Sequence, residues 1–507
     1  GLLVTEEFEK AVRECEAEVA RLAKECQRQN RRYRDRSFDM YDDRDRCLFG
    51  LTRPVDTNGN VTLTPSDVLR ATQIFEKPQF FIDGASSGDI VQGALGDCWF
   101  LSALAMVGTV QGLIEKICVA QDEKFGIYGF VFFKESGWVS VVIDDLLFSG
   151  IPKYESLTDQ ARAMHKENRD LYNRTARMGQ KSLYFGSSGT ENETWVALIE
   201  KAYAKLNGDF MALEGGHARE AVEDLTGGVS SLYAVPDIFD IDQFWTEELM
   251  HVNEDRLFGC FVDSDGGNGN PLNGEYHAYS IIRAMVVNGK RFLKIRNPWG
   301  DTEWTGRWSD GSKEWTKEWL DALPELGHKF GDDGEFLMEY SDFLSVWTAI
   351  ERVRLFDSTW AMSSHWLSFF PGAWSFGDVS FTINISSLTP AVIVLAQVDT
   401  RSYAEIAGPY RWSLEFALYK KGESEPIGRS VHDRLYGRSV QMELDLEEGD
   451  YVVHVRFDRT VLRTNGQIND VLDGANSRKA AQKLASALQS ESIASSELPR
   501  LTGSVIH

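Results

Sequence analysis

No stretch of this 507-residue sequence approaches the ~18 consecutive apolar residues that a membrane-spanning helix needs. The longest apolar runs, such as residues 100–107, are short and bounded by polar groups. Basic charge is also scarce. There are 53 Lys and Arg against 77 Asp and Glu, a net charge of -24. That excludes a nucleic-acid binder, whose affinity rests on neutralising phosphates. Cysteine is sparse and scattered: Cys15, Cys26, Cys47, Cys98, Cys118 and Cys260 show no CxxC pair and no dense framework. Such spacing reads as reduced and intracellular. The opening GLLVTEEFEKAVREC lacks the basic segment of a signal peptide. It starts with Gly, as expected of a piece of a longer chain, and any membrane anchor would lie upstream.

The length exceeds what one hydrophobic core supports, so several domains are expected. Residues 5–35 read as a helix, because Phe8, Val12, Cys15, Val19, Leu22 and Cys26 recur at spacings of four and three. One short stripe predicts a helix docked on the body rather than a coiled coil. Asp56, Asn58 and Asn60 fail as an EF-hand loop, since glycine and glutamate are missing from the required positions. Residues 97–107 and 194–206 have helical character, and residues 128–133 and 138–143 alternate as strands. The polar stretch 148–190 has no clear period and predicts a mobile surface insertion. The pairs Gly215-Gly216 and Gly227-Gly228 are candidate hinges. Residues 277–295 read as a hairpin turning at Asn288-Gly289. Beyond about 353, short alternating runs at 379–385, 391–398, 413–419, 440–446 and 451–457 have the rhythm of an all-β sandwich. A helix and a frayed tail end the chain.

Chemistry concentrates around Cys98. Gln92-Gly-Ala-Leu-Gly-Asp-Cys98 leads from a glycine-rich approach into a helix, with Asp97 as the expected N-cap. A thiol in the first turn meets free N–H groups and the positive end of the helix dipole, which favour the nucleophilic thiolate. The Gln92 amide and the Cys98 backbone N–H could together hold an oxyanion. The other five cysteines read as small buried hydrophobes. A nucleophilic thiol needs a base, and the base needs an orienter. Of nine histidines, His277 fits best, at the start of a hairpin whose returning strand ends at Arg296-Asn297-Pro298-Trp299. Asn297 could hold the imidazole, and Trp299 could shield that bond from water. A lone strand histidine is usually structural; the order Gln92, Cys98, His277, Asn297 reverses those odds.

The blocks FIDGASSGDIVQGALGDCWFLSALA, TWVALIEKAYAKLNGDF, EDLTGGV, GEYHAYSI and IRNPWGDTEWTGRWSD resemble the protease core of calpains, the calcium-activated cysteine proteases. The resemblance covers roughly residues 78–350, plus a part similar to the sandwich that follows the core. It implies an α+β, papain-like core of two subdomains followed by an all-β C2-like sandwich. The expected division is 1–50 helical, 51–215 with Cys98, 216–353 with His277 and Asn297, 354–465 sandwich and 466–507 tail. It further implies two calcium (Ca2+) sites that are not EF-hands. One would use carbonyls of Ile82 and Gly84 with Asp89 and Glu193. The other would use Glu303, Asp310, Asp333, Glu335 and the Gly331 carbonyl. Calcium takes six to eight oxygens from such mixed sets. The 148–190 insertion and the lack of an EF-hand domain after the sandwich make the chain most similar to plant phytocalpains of the defective-kernel type. That implies protein substrates, a cytoplasmic protease tethered to a membrane through an upstream region, and no EF-hand small subunit. The acidic run Glu443, Asp445, Glu447, Glu448, Asp450 could give the sandwich calcium or phospholipid contact; a solvated strand edge explains it equally well.

Two other functions fit parts of the pattern. A calpain-like scaffold that binds without cleaving would not need the intact set Gln92, Cys98, His277 and Asn297. A transglutaminase-type acyl transfer usually pairs histidine with aspartate, where this chain has Asn297.

Overall fold

Thr5 accepts a hydrogen bond from the Phe8 N–H and starts the helix Glu6–Gln29, which stops at Asn30 in a left-handed conformation. Its buried stripe is Phe8, Ala11, Cys15, Val19, Leu22 and Cys26, and it lies against the strands Ile127–Lys134 and Gly137–Asp144. The helix is therefore docked on the body, as its single stripe implies. These coordinates are a computed structural model of the chain. It describes residues 5–51, 55, 59, 62–134, 137–262, 277–301, 303–366, 380–408, 410–430, 437–461 and 477–496. Residues 56–58 and 60 of the rejected EF-hand segment, and the loop 274–276 before His277, lie outside the described residues.

The chain forms two compact units. One comprises Gly1–Gly228 and Leu232–Trp360, the other Val229–Ser231 and Ala361–His507. The first unit mixes helix and sheet and holds two large hydrophobic cores. The first core gathers the helices Cys98–Gly108, Trp195–Leu206 and Ala218–Thr226 around the paired strands Ile127–Lys134 and Gly137–Asp144. Phe100 and Tyr203 stack at its centre, 4.2 Å between ring centroids. Helix Cys98–Gly108 is apolar all round, and residues Trp99 to Val107 are all buried, as a central helix requires.

The second core lies on an antiparallel sheet. Five of its strands run in the order Glu335–Glu339, Lys290–Arg296, Ala278–Val287, Arg256–Phe261, Ala349–Arg354. The hairpin turns at Asn288 (φ 47°) and Gly289 (φ 75°), and the positive angles at both positions suit the two-residue turn matched to strand twist. An irregularity between Ile281 and Arg283 shifts the register, pairing Ser280 with Arg296. His277 and Asn297 both lie just beyond that end of the ladder.

Residues 148–190 are not aperiodic. They carry the short helices Asp159–Met164 and Arg169–Thr175, capped by Thr158 and Asn168. Tyr172 is buried and donates to the Pro152 carbonyl, Arg177 pairs with Asp67, and Ser149 bridges to Leu183. The helices escape a periodicity reading because each spans two turns or fewer and hides few apolar residues.

The second unit holds a four-stranded antiparallel sheet in the order Ser380–Ile385, Gly449–Val461, Tyr410–Lys420, Pro426–Arg429, and a pair Thr389–Ala396 with Ser439–Leu446. Leu414, Phe416, Leu418, Val440, Leu446, Tyr451, Val453 and Val455 form its core. The strand Pro426–Arg429 was not visible in the pattern; it is four residues long and contains proline and glycine. The helix Ser477–Ser496 follows.

Candidate active site

Cys98 is the first residue of its helix, with Asp97 preceding it at the N-cap. Contrary to expectation, Asp97 makes no side-chain cap. The thiol is partly buried. Burial pushes it up; the N–H groups of Ala278 and Trp99 pull the other way, and the carboxylates of Glu214 and Glu351 add to the rise. Burial thus opposes the pull of the helix start on the thiol. Ala278 is the neighbour of His277, so the thiol sits against the first residues of the hairpin strand.

His277 and Asn297 are both buried, at 5% and 0% exposure. His277 Nε2 and Asn297 Oδ1 are 2.6 Å apart. The amide of Asn297 is oriented by two further bonds: Oδ1 accepts from the Trp299 N–H (3.1 Å), and Nδ2 donates to the Asp301 carbonyl (3.0 Å). An oxygen facing Nε2 requires the proton on Nε2, so Nδ1 carries the lone pair. The Trp299 ring lies over the imidazole at 4.2 Å, and Tyr279 meets it edge-on at 4.8 Å. Burial pulls the imidazole down, against the Asn297 bond that raises it. Thiol and imidazole are thus both held toward their neutral forms.

Gln92 Nε2 donates to the Leu95 carbonyl (2.7 Å), which fixes the amide on the loop beside Cys98 and leaves its second hydrogen for an incoming oxygen. The Gln92 N–H donates to the Pro298 carbonyl (3.0 Å), tying that loop to the segment between Asn297 and Trp299. Arg296 does the same a few residues away, donating to the carbonyls of Gly88 (3.0 Å) and Ile90 (3.2 Å). Ser280 Oγ donates to the Ser102 carbonyl (2.9 Å). The two halves of the first unit therefore meet along the line on which Gln92, Cys98, His277, Asn297 and Trp299 lie. Arg296 was missed as a bridging residue, although it stands directly before Asn297 in a motif noted for its other members.

Residues 55–354 match the family described as Calpain family cysteine protease. The chain belongs to the calpain family. It is 36% identical over 300 residues to calpain-9 of Rattus norvegicus, covering 56% of this chain and 39% of that protein. It is 35% identical over 307 residues to the calpain-1 catalytic subunit of Bos taurus, covering 56% and 37%. Calpain-8 of Rattus norvegicus is 34% identical over 328 residues, covering 61% and 42%. The chain thus spans roughly two fifths of the length of these relatives.

Among the described residues, no three His, Cys, Asp or Glu side chains converge closely enough to hold an ion. The expected calcium ligands nonetheless fall into two groups of suitable chemistry. Glu193 accepts from the Ile82 N–H (2.7 Å) and Ser188 Oγ (2.6 Å). Asp89 accepts from the Ser86 N–H (2.8 Å) and Thr190 Oγ1 (3.2 Å). Burial pushes Glu193 up, and the negative charge of Asp89 adds to the rise. The Ile82–Gly84 turn, with Gly84 at φ 88°, passes beside them. In the second group, Glu303 accepts from the N–H groups of Asp333 (3.0 Å) and Gly334 (3.2 Å), and Asp310 from that of Gly331 (2.7 Å). Burial, with Asp310 and Asp333 nearby, pushes Glu303 up to about 7. In each group neighbouring carboxylate charge raises the glutamate, and the oxygens are of the kind a hard dication takes, although the Arg296 guanidinium also bears on Asp89 and Asp333. Glu335 differs: its carboxylate is turned to Lys294 (2.5 Å) and Arg296 (3.5 Å). Asp310 is also held by His328 Nε2 at 2.9 Å.

Proposed function

We propose that this chain is the protease portion of a calcium-dependent cysteine endopeptidase that makes limited cuts in protein substrates. The observation that carries the reading is the His277–Asn297 bond: it commits Nε2 to the amide and leaves Nδ1 for the thiol of Cys98, which lies against Ala278.

In this mechanism the Cys98 proton passes to His277 Nδ1, and the sulfur attacks the scissile carbonyl carbon. The oxyanion is held by the Cys98 backbone N–H and Gln92 Nε2. As the tetrahedral intermediate collapses, the C–N bond breaks and His277 gives its proton to the leaving amine. Water then attacks the thioester, its proton passing to His277 and returning to Cys98 sulfur as the acid is released. Trp299 keeps bulk water off the His277–Asn297 bond.

Carbonyls of Ile82 and Gly84 with Asp89 and Glu193, and the Gly331 carbonyl with Glu303, Asp310 and Asp333, would hold calcium. Glu335 would join only by leaving Lys294 and Arg296. Calcium, when bound, supplies positive charge to these carboxylates. The second group follows Asn297 in sequence, and Asn297 N–H donates to the Gly334 carbonyl (2.8 Å), so order in the 331–335 turn is transmitted to the orienting amide.

The sandwich is read as C2-like, with phospholipid contact through the Glu443 to Asp450 edge; vesicle sedimentation of the chain with and without calcium tests this. The proposal also includes cytoplasmic action, tethering through an upstream region, affinity to the phytocalpain type, and activity without an EF-hand small subunit. Assay of the purified chain alone tests the last point. Cleavage of an unfolded protein substrate by wild type but not by Cys98→Ala, with calcium and not with a chelator, tests the whole. Equal cleavage by both would refute it.

A further inference from the structure

Directly beneath the nucleophile lie two carboxyl groups that the mechanism does not use. Asp97 is 0% exposed and Glu200, on the helix Trp195–Leu206, is 1% exposed. Their carboxyls are within hydrogen-bond reach of each other. Neither oxygen of Asp97 meets a donor from another residue. Both oxygens of Glu200 accept from the Gly186 N–H at 3.0 Å. The surroundings are apolar: Leu147, Phe148, Phe185 and Phe210 line the cavity that Glu200 borders. A Cβ at position 186 would lie 3.0 Å from the Glu200 carboxylate, a tight approach.

The charged or titratable groups bearing on Asp97 are Glu200 and its own neighbour Cys98, and neither is a cation. Lys201, next to Glu200, is turned to Asp144 and to the carbonyls of Asp144 and Leu146. Glu214 approaches from the other side and accepts from the Gly96 N–H (3.1 Å). Two carboxylates so placed cannot both be ionised, and a proton between them gives Asp97 a hydrogen-bond partner.

The contacts close a ring around the oxyanion turn. Asp97 reaches Glu200, Glu200 holds Gly186, and two residues before Gly186 the Tyr184 carbonyl accepts from the Ala94 N–H (2.9 Å). Ala94 lies between Gln92 and Asp97, so the ring braces the segment carrying both proposed oxyanion donors.

We propose that Asp97 and Glu200 are positioning residues for Cys98, sharing one proton that fixes the Gln92–Cys98 turn against helix Trp195–Leu206. Burial pushes both carboxyls up, Glu200 to about 7 and Asp97 well above the usual carboxylate range, so the pair keeps a proton through neutral pH. Losing it at alkaline pH sets two buried anions against each other and loosens the turn.

Two measurements test this. The first is independent of Cys98 being the nucleophile: infrared difference spectra at neutral pH of Cys98→Ser against the same chain carrying Asp97→Asn or Glu200→Gln. Each amide can donate to the remaining carboxylate, so both double variants should lose one protonated-carboxyl stretch. The second rests on the protease reading: kcat against pH for wild type, D97N and E200Q, each normalised to its own maximum. Both variants should move the alkaline limb upward by about half a pH unit or more, while Glu200→Leu, which leaves Asp97 without a partner, should lower kcat with little change in KM. Absence of the stretch overturns the proposal. So does an alkaline limb in E200Q and D97N that superimposes on that of wild type.

Discussion

His277 Nε2 faces Asn297 Oδ1 across 2.6 Å, and the same oxygen also accepts from the Trp299 N–H. One amide thus fixes both the tautomer of the base and the strand end that carries its aromatic cover. Asn297→Ala should lower kcat by ~10²-fold or more with little change in KM, as loss of an orienting group does when substrate contacts remain. Steady-state kinetics on a peptide substrate checks this. An unchanged kcat would remove Asn297 from the machinery.

Gln92 offers a donor to the oxyanion without touching the base. Gln92→Ala should cost ~10²–10³ in kcat, about 2.7–4 kcal/mol of transition-state stabilisation. The thermal midpoint should move little, because the side chain makes one bond within its own loop. A fall in stability matching the fall in rate would point to a structural role instead.

His217, at the start of the helix Ala218–Thr226, lies 3.5 Å from the buried carboxylate of Glu351 on the strand Ala349–Arg354. Burial pulls the imidazole down, but the hydrogen bond and charge of Glu351 outweigh it, and the folded value is raised above 6.5. A raised folded value means stability fully present below the unfolded pKa and lost as pH rises through the folded one. In the Cys98→Ser background, His217→Gln should therefore lower the thermal midpoint most near pH 6, and the difference should shrink by pH 9. A difference that grows with pH would contradict the sign.

Lys201 is fully buried and reaches Asp144 at 2.5 Å. Lys201→Met leaves that carboxylate in the core without its cation. The expected loss is about 3–5 kcal/mol by urea unfolding, the usual result of removing one partner of a buried pair. Replacing both partners with apolar residues should recover much of it.

Calcium binding by both proposed groups should be visible without any activity. In Cys98→Ser, calcium should raise the thermal midpoint, and calorimetric titration should show two ions bound. Asp89→Asn with Glu193→Gln should abolish one, and Glu303→Gln with Asp310→Asn the other. Two ions retained by either double variant would mean other ligands hold them.

The helices and strands that position the site were legible from local signals along the chain. The hairpin around Asn288-Gly289 was readable from its turn dipeptide, and helix Cys98–Gly108 from its glycine-rich approach. What escaped notice depends on through-space neighbours. Nothing in the order of residues says that Asp97 forgoes capping for Glu200, which lies 103 positions away, or that Arg296 reaches Gly88 and Ile90. The helices within 148–190 were missed because two turns are too few for a period. Nor does the order of residues show that burial and the carboxylates of Glu214 and Glu351 push the Cys98 thiol up, against the pull of its helix start.

The most direct test is covalent labelling by an epoxide inhibitor of thiol proteases, located by mass spectrometry of the intact and digested chain with calcium and with a chelator. The account predicts a single adduct, on Cys98, that forms with calcium, slows sharply with the chelator, and is lost in His277→Ala. An unmodified Cys98 in a folded chain at millimolar calcium, or equal labelling of Cys98 in His277→Ala, would contradict it.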